Sequence, residues 1–150
     1  MRSRCLLLAA ALLLGSAAVA HADGARIVAE QRVGPRVVEL TIATPAFTSP
    51  TKVHVNLPTG YDADPNRRWP VTYFLAGTMN TYRTFNSLVD GVKLTESFPS
   101  IVVSPNGDSG YWSDWYNGGA FGPPMYETYV AEQLIPLIDA RFRTSARRAQ

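Results

Sequence analysis

Cysteine is all but missing from this chain. Cys5 is the only one, and it sits in an N-terminal stretch with the marks of a removable leader. The remainder therefore has neither a disulfide framework nor a thiol nucleophile. Histidine is scarce as well: His21 and His54 are the only two, and no Cys/His/Asp/Glu grouping has the spacing of metal ligands. No apolar run approaches the roughly 20 residues that cross a bilayer. An excess of one charge is missing too. Internal repeats, low-complexity tracts and interdomain linkers are absent, and so is any Gly-x-Ser-x-Gly sequence.

The leader consists of Arg2 and Arg4, the apolar run Leu6–Leu14, and the small-x-small pattern Ala20-His21-Ala22. This is the layout of a secretory signal peptide, residues 1–22, with cleavage expected after Ala22 and Ala20 as the alternative. Its removal takes away Arg2 and Arg4, so the 14 basic residues fall by two to match the 12 acidic ones. A neutral balance argues against nucleic acid or an anionic surface as partner. The basic cluster Arg141, Arg143, Arg147 and Arg148 reads as a solvated helix end. The expected location is secreted, extracellular or in the cell envelope, without a stable membrane anchor. Residues 23–150 form one expected domain whose stability must come from a hydrophobic core.

Residues 23–35 read as a polar lead. Val37–Ile42 is β-rich, with Val38, Leu40 and Ile42 on one side. Lys52–Leu57 alternates, placing Val53, Val55 and Leu57 inward and His54 on the opposite, exposed side; the two segments predict an antiparallel hairpin. Val71–Leu75 and Ser100–Pro105 are short continuous apolar runs, expected as strands buried on both faces. Residues 82–92 predict a modest helix with Phe85, Leu88, Val89 and Val92 on one face. Residues 125–142 predict a longer one that buries Tyr126, Val130, Leu134, Leu137 and Ile138, opens after Pro123-Pro124 and kinks near Glu132 because of Pro136. The alternation of strand and helix implies an α/β fold: an antiparallel hairpin followed by parallel β-α-β-α, with helices on both faces of the sheet.

In an open parallel sheet ligands bind beyond the carboxyl ends of the strands. Two segments lie there: Ala76-Gly77-Thr78-Met79-Asn80, and the long loop 106–124, rich in glycine and aromatics. Within that loop Gly107-Asp108-Ser109-Gly110 resembles the nucleophile segment of chymotrypsin-like proteases. His54 would be its only base, and a two-barrel protease does not fit within 150 residues, so Ser109 reads as part of a turn. Gly118–Gly122 has the glycine spacing of a nucleophile elbow with Ala120 at its centre and no strand leading into it.

Four further segments carry a family resemblance. Leu57-Pro58-Thr59-Gly60-Tyr61-Asp62 and Pro70–Gly77 resemble the Leu-Pro-x-Gly-Tyr-Asp stretch and the following strand and turn of esterases. Tyr111-Trp112-Ser113-Asp114-Trp115-Tyr116 resembles a Tyr-Ser-Asp-Trp-Tyr segment of the trehalose mycolyltransferases, which belong to the same family. Glu132–Asp139 resembles the helix leading into the nucleophile strand. The resemblance implies an α/β-hydrolase with Ser-acid-His acyl chemistry, a small-molecule or lipid/sugar ester substrate and no cofactor. It implies a sheet order of first, second, fourth, third and fifth strand. It makes the Thr78 N–H an oxyanion-hole donor with Gly77 shaping the turn, with Met79 substrate-facing. Trp112, Asp114, Trp115 and Tyr116 have two readings: they line an acyl or sugar pocket, or they pack the long loop onto the sheet with Asp114 capping a turn. The serine, acid and base are expected beyond residue 150, so the 150-residue chain is expected to be inactive alone. Ala76 and Met79 replace the Asp and Arg of the mycolyltransferases, which points to a simple ester hydrolase or a different acceptor. The alternative is a secreted binding or adhesion module that uses the aromatic loop 111–116.

Overall fold

Alternating β-branched residues build the sheet, and helices close on both of its faces. The computed structural model describes residues 21–22, 24–116 and 125–145. The strands are β1 (His21–Ala22), β2 (Ala25–Gly34), β3 (Val37–Ala43), β4 (Thr51–Asn56), β5 (Val71–Tyr73) and β6 (Ile101–Pro105). Their order in the sheet is β1-β2-β3-β4-β6-β5. β3 and β4 form the expected antiparallel hairpin, from Val37 opposite Asn56 to Ile42 opposite Thr51. β6 lies antiparallel to β4 and parallel to β5. From β3 onward this is the order implied by the resemblance.

Leu40, Ile42, Val53, Val55, Ile101 and Val103 all point to one face and are fully buried there. They pack against a helix spanning residues 126–141, built from α3 (Tyr126–Thr128), a π-helical stretch (Tyr129–Leu134) and α4 (Ile135–Arg141). Leu134, Leu137, Ile138 and Tyr129 come from that helix. Burial of each aliphatic side chain contributes about 1.5–3 kcal/mol. The expected disturbance near Glu132 takes the form of the π stretch. A wider turn relieves the clash of the Pro136 ring with the carbonyl of the preceding turn.

Four expectations need correction. The polar lead is in fact β2, ten residues long and mostly exposed. It is held by a backbone ladder to β3 that runs with two register shifts from Arg26↔Ala43 to Gly34↔Val37; main-chain bonding needs no apolar pattern, so this segment carries no periodic signal. The helix expected over 82–92 is split into α1 (Thr84–Leu88) and α2 (Gly91–Leu94). Asp90, in the left-handed region at φ 48°, breaks it. Only Phe85 of its four predicted core residues is buried, and Leu88 is 74% exposed. Gly91 follows the break because a Cβ there would lie 2.3 Å from the Phe85 ring. β5 is shorter and less buried than expected, since it is the last strand in the order. Its outer flank is met at Trp69, which pairs in parallel with Thr144.

The fourth correction is His54. It is 7% exposed, because α1 covers the second face of β4: Asn86 of α1 bonds both His54 and Asn56. The leader 1–20, Gly118–Gly122, Pro123-Pro124 and Arg147-Arg148 lie outside the described residues. The backbone of His21–Ala22 pairs with Ala25–Arg26. Among the described residues, no helix is long and apolar enough to cross a membrane.

Candidate active site

β5 and β6 run parallel, so the chain leaves both at the same end of the sheet. The two exits are bonded to each other. The Met79 amide donates to the Asp108 carbonyl at 2.9 Å, and Asn80 and Asp108 form an antiparallel bridge. The Tyr82 amide donates to Asn106 Oδ1 at 3.2 Å. The Trp112 indole N–H reaches back to the Ala76 carbonyl at 2.8 Å.

Within the first exit, the Asn80 amide closes a turn on the Gly77 carbonyl at 3.1 Å. Among the described residues, no protein oxygen accepts the Thr78 amide, whereas Met79 and Asn80 on its carboxyl side are both bonded. An N–H group left free in a turn braced on both sides is available to a ligand oxygen. The left-handed position of this turn belongs to Met79, at φ 66°, not to Gly77. A Cβ at Gly77 would meet Asn80 at an ordinary 3.7 Å, so nothing in the protein itself demands a glycine there. Met79 is 85% exposed. A bulky residue in the left-handed region costs on the order of 1–2 kcal/mol. The bonds to Asp108 and Gly77 hold it in place.

Gly107-Asp108-Ser109-Gly110 is a turn closed by the Gly110 amide on the Gly107 carbonyl. Its glycines answer to packing. A Cβ at Gly107 would fall 2.3 Å from the Trp112 ring, and one at Gly110 would fall 1.8 Å from the Tyr126 ring. Ser109 is exposed, and none of its bonds link it to His54, which lies on the covered face of β4. Tyr126 donates to Asp108 Oδ2 at 3.4 Å; burial and then the charge of Asp108 push its hydroxyl pKa up.

The aromatic segment divides in two. Trp112 turns inward, edge-on to Tyr126 at 5.5 Å. Tyr111, Ser113, Asp114, Trp115 and Tyr116 line an open cavity of about 340 Å³. The Trp115 indole is bonded to the Gly110 carbonyl, and the Tyr116 ring is fully exposed. Asp114 Oδ1 accepts the amides of Glu127 and Thr128 at 2.9 and 3.1 Å, and Oδ2 accepts the Thr128 hydroxyl at 2.6 Å. Its carboxylate thus satisfies orphan donors at the start of the helix over 126–141 and complements the positive end of the helix dipole.

Sequence reasoning missed Asn80, Asn106 and Asp108, which join the two exits. Residue type signals Asn106, which accepts through its own side chain; Asn80 and Asp108 join the exits through their backbones, which carry no such signal. It also missed a polar row on the sheet. Glu39, His54 and Ser104 lie opposite one another on β3, β4 and β6. The row is not a nucleophile-base-acid site: Ser104 is sealed from solvent, and its hydroxyl has no partner among the described residues.

A family model described as "Putative esterase" matches residues 44–149. Two curated proteins of Mycobacterium tuberculosis, Esterase MT1326 of strain CDC 1551 / Oshkosh and Esterase Rv1288 of strain H37Rv, are each 36% identical over 126 residues. The match covers 82% of this chain and 27% of each relative, so the chain spans about a quarter of the length of the curated relatives it matches. Among solved structures, a ferulic acid esterase aligns with a TM-score of 0.64 at 20% identity, over 75% of this chain and 47% of that one. An S-formylglutathione hydrolase from Agrobacterium tumefaciens aligns at 0.65 and 17%, over 81% and 50%. The fluorophosphonate-binding serine hydrolase F of Staphylococcus aureus aligns at 0.63 and 18%, over 77% and 45%. At such identities the likenesses show a shared α/β-hydrolase fold.

Proposed function

The chain belongs to the esterase family, and from that premise we propose that it forms the oxyanion side of an exported serine ester hydrolase or acyltransferase. The observation that carries this reading is the Thr78 amide, unbonded among the described residues, in the turn beyond β5 that is braced by Asp108 and Gly77. In acyl transfer from an ester, a serine oxygen bonds to the acyl carbon and the carbonyl oxygen takes up the negative charge. A fixed N–H aimed at that oxygen stabilises the tetrahedral intermediate by about 2.7–4 kcal/mol. The alkoxide leaving group departs with a proton returned by the general base.

The nucleophile, acid and base come from sequence beyond residue 150, since the chain has no Gly-x-Ser-x-Gly. The substrate is a small-molecule ester. Ala76 and Met79 leave no charged group for the sugar that mycolyltransferases hold, which favours hydrolysis or another acceptor. The leader 1–22 directs export.

A p-nitrophenyl ester assay tests this. Residues 23–150 alone are expected to give no turnover. A reading frame that continues into Gly-x-Ser-x-Gly is expected to turn over, and Thr78→Pro, which deletes the N–H, should lower its kcat by about 10²–10³-fold. Unchanged turnover in that variant, or turnover by residues 23–150 that Ser109→Ala abolishes, would overturn the reading.

A second reading has its own observation, the open aromatic cavity at Tyr111, Trp115 and Tyr116. It would make the chain a secreted binding module. Saturable binding of sugar or acyl ligands by residues 23–150, lost in Tyr116→Ala, would favour it.

A further inference from the structure

The structure assigns His54 a positioning role: its imidazole bridges Glu39 of β3 to Asn86 of α1, fastens the segment following the Gly77–Asn80 turn to the sheet, and so sets the direction of the Thr78 amide. The mechanical part of this inference stands alone, and its catalytic consequence rests on the function proposed above.

The ring nitrogens meet partners of opposite kind. Nε2 lies 3.4 Å from Glu39 Oε2, and Nδ1 lies 3.2 Å from Asn86 Nδ2. A carboxylate only accepts and an amide NH₂ only donates, so the neutral tautomer with its proton on Nε2 satisfies both. The Asn86 amide is itself held by a reciprocal pair with Asn56, at 2.6 and 3.1 Å. A second proton on Nδ1 would face the Asn86 NH₂. Either that contact opens or the Asn86 and Asn56 amides turn together.

From Asn86 the connection runs back to the turn. Thr84 Oγ1 accepts the Thr81 amide at 3.0 Å and donates to Asn80 Oδ1 at 3.3 Å. The Asn80 amide closes the turn on the Gly77 carbonyl. Between them Tyr82 stands edge-on to the His54 ring, 4.8 Å away at 90°, while its amide is bonded to Asn106. No residue from Asn80 to Thr84 is left without a bond or ring contact to the sheet, to the second exit or to its neighbours.

The charged and titratable groups facing His54 are Glu39 on β3, Lys52 on β4, and Tyr82 and Arg83 ahead of α1. β6 presents only Ser104. Burial is the largest influence and holds the His54 pKa below the usual histidine value; the hydrogen bond and charge of Glu39 oppose it, and Arg83 and Lys52 act with burial. The imidazole is therefore neutral at pH 7, the form that the geometry requires.

The test is NMR of the whole chain between pH 8 and pH 5. The ring ¹⁵N shifts should report the Nε2–H tautomer, and the Thr78 and Asn80 amide signals should move with the same midpoint as the His54 ring. Glu39→Gln removes the attraction for the imidazolium, so it should shift the ring and amide midpoints to lower pH together. His54→Gln keeps one donor and one acceptor without titrating. It should preserve the neutral-pH Thr78 signal and flatten its response. Amides that stay fixed while His54 titrates, midpoints that separate in Glu39→Gln, or an Nδ1–H tautomer would overturn the inference; if His54→Gln does not fold, the first two titrations still decide. In the longer, active reading frame kcat should fall at the His54 midpoint with KM unchanged. A kcat indifferent to an amide that does follow His54 would refute the catalytic part of the inference, and with it the role of Thr78, and uphold the positioning.

Discussion

On one face of the sheet Leu40, Ile42, Val53, Val55, Ile101 and Val103 meet the helix over 126–141. On the other face Glu39, His54, Asn56 and Ser104 form a polar set on neighbouring strands, and Asn86 of α1 bonds His54 and Asn56 there. The first face is held by the removal of apolar area from water, which is non-directional and tolerates exchange of similar shapes. The second depends on each polar atom finding a partner of the right kind. It cannot rearrange without leaving a buried donor or acceptor unpaired. An apolar face fixes that the helix packs; a polar face fixes where α1 sits, and the Gly77–Asn80 turn precedes α1 directly.

This contrast is open to experiment. The largest effect should come from the apolar face. Leu40→Ala removes a fully buried side chain and should cost about 2–5 kcal/mol in urea unfolding. On the polar face, Asn86→Leu strands Asn56 and His54 Nδ1 and should cost about 1–3 kcal/mol. A cost near zero would mean that α1 is held by Phe85 alone. Asp114→Ala removes the acceptor for two amides and a hydroxyl at the start of the helix over the apolar face. A loss of about 1 kcal/mol, with reduced helical circular dichroism, is expected.

A smaller, conditional effect is pH dependence. The folded-state pKa of His54 lies below its unfolded value, so its contribution is complete above about pH 6.5 and fades as pH falls through the folded pKa. Glu39 is also lowered, chiefly by its hydrogen bond to Lys52, and its contribution is lost further down, below about pH 4.5. The melting temperature should therefore be flat from pH 8 to 7 and fall in two stages on acidification, with His54→Gln deleting the upper stage. The least effect should come from Ser104→Ala. It removes a hydroxyl without a partner among the described residues, so stability should stay within about 0.5 kcal/mol and lean upward. A clear loss would reveal a partner for that hydroxyl.

The sequence alone determined the hairpin, both parallel strands, the long helix and the end of the sheet at which the two exits lie. The hairpin and the helix rest on apolar periodicity, the parallel strands on short continuous apolar runs, and the end of the sheet on their alternation with helices; all are local patterns that burial imposes. Tertiary structure decided the rest. β2 has no apolar signature, because a main-chain ladder holds it. His54 reads as an exposed strand residue until α1 covers it. Asp114 reads as a turn residue until the helix start arrives 13 positions later in the chain. The glycines of Gly107–Gly110 read as ordinary turn residues until Trp112 and Tyr126 fill the space beside them. In each case the partner is a different strand, helix or turn that only the folded chain brings alongside. Hydrogen-bond complementarity and ring packing, unlike periodicity, leave no trace in the residues next to one another along the chain.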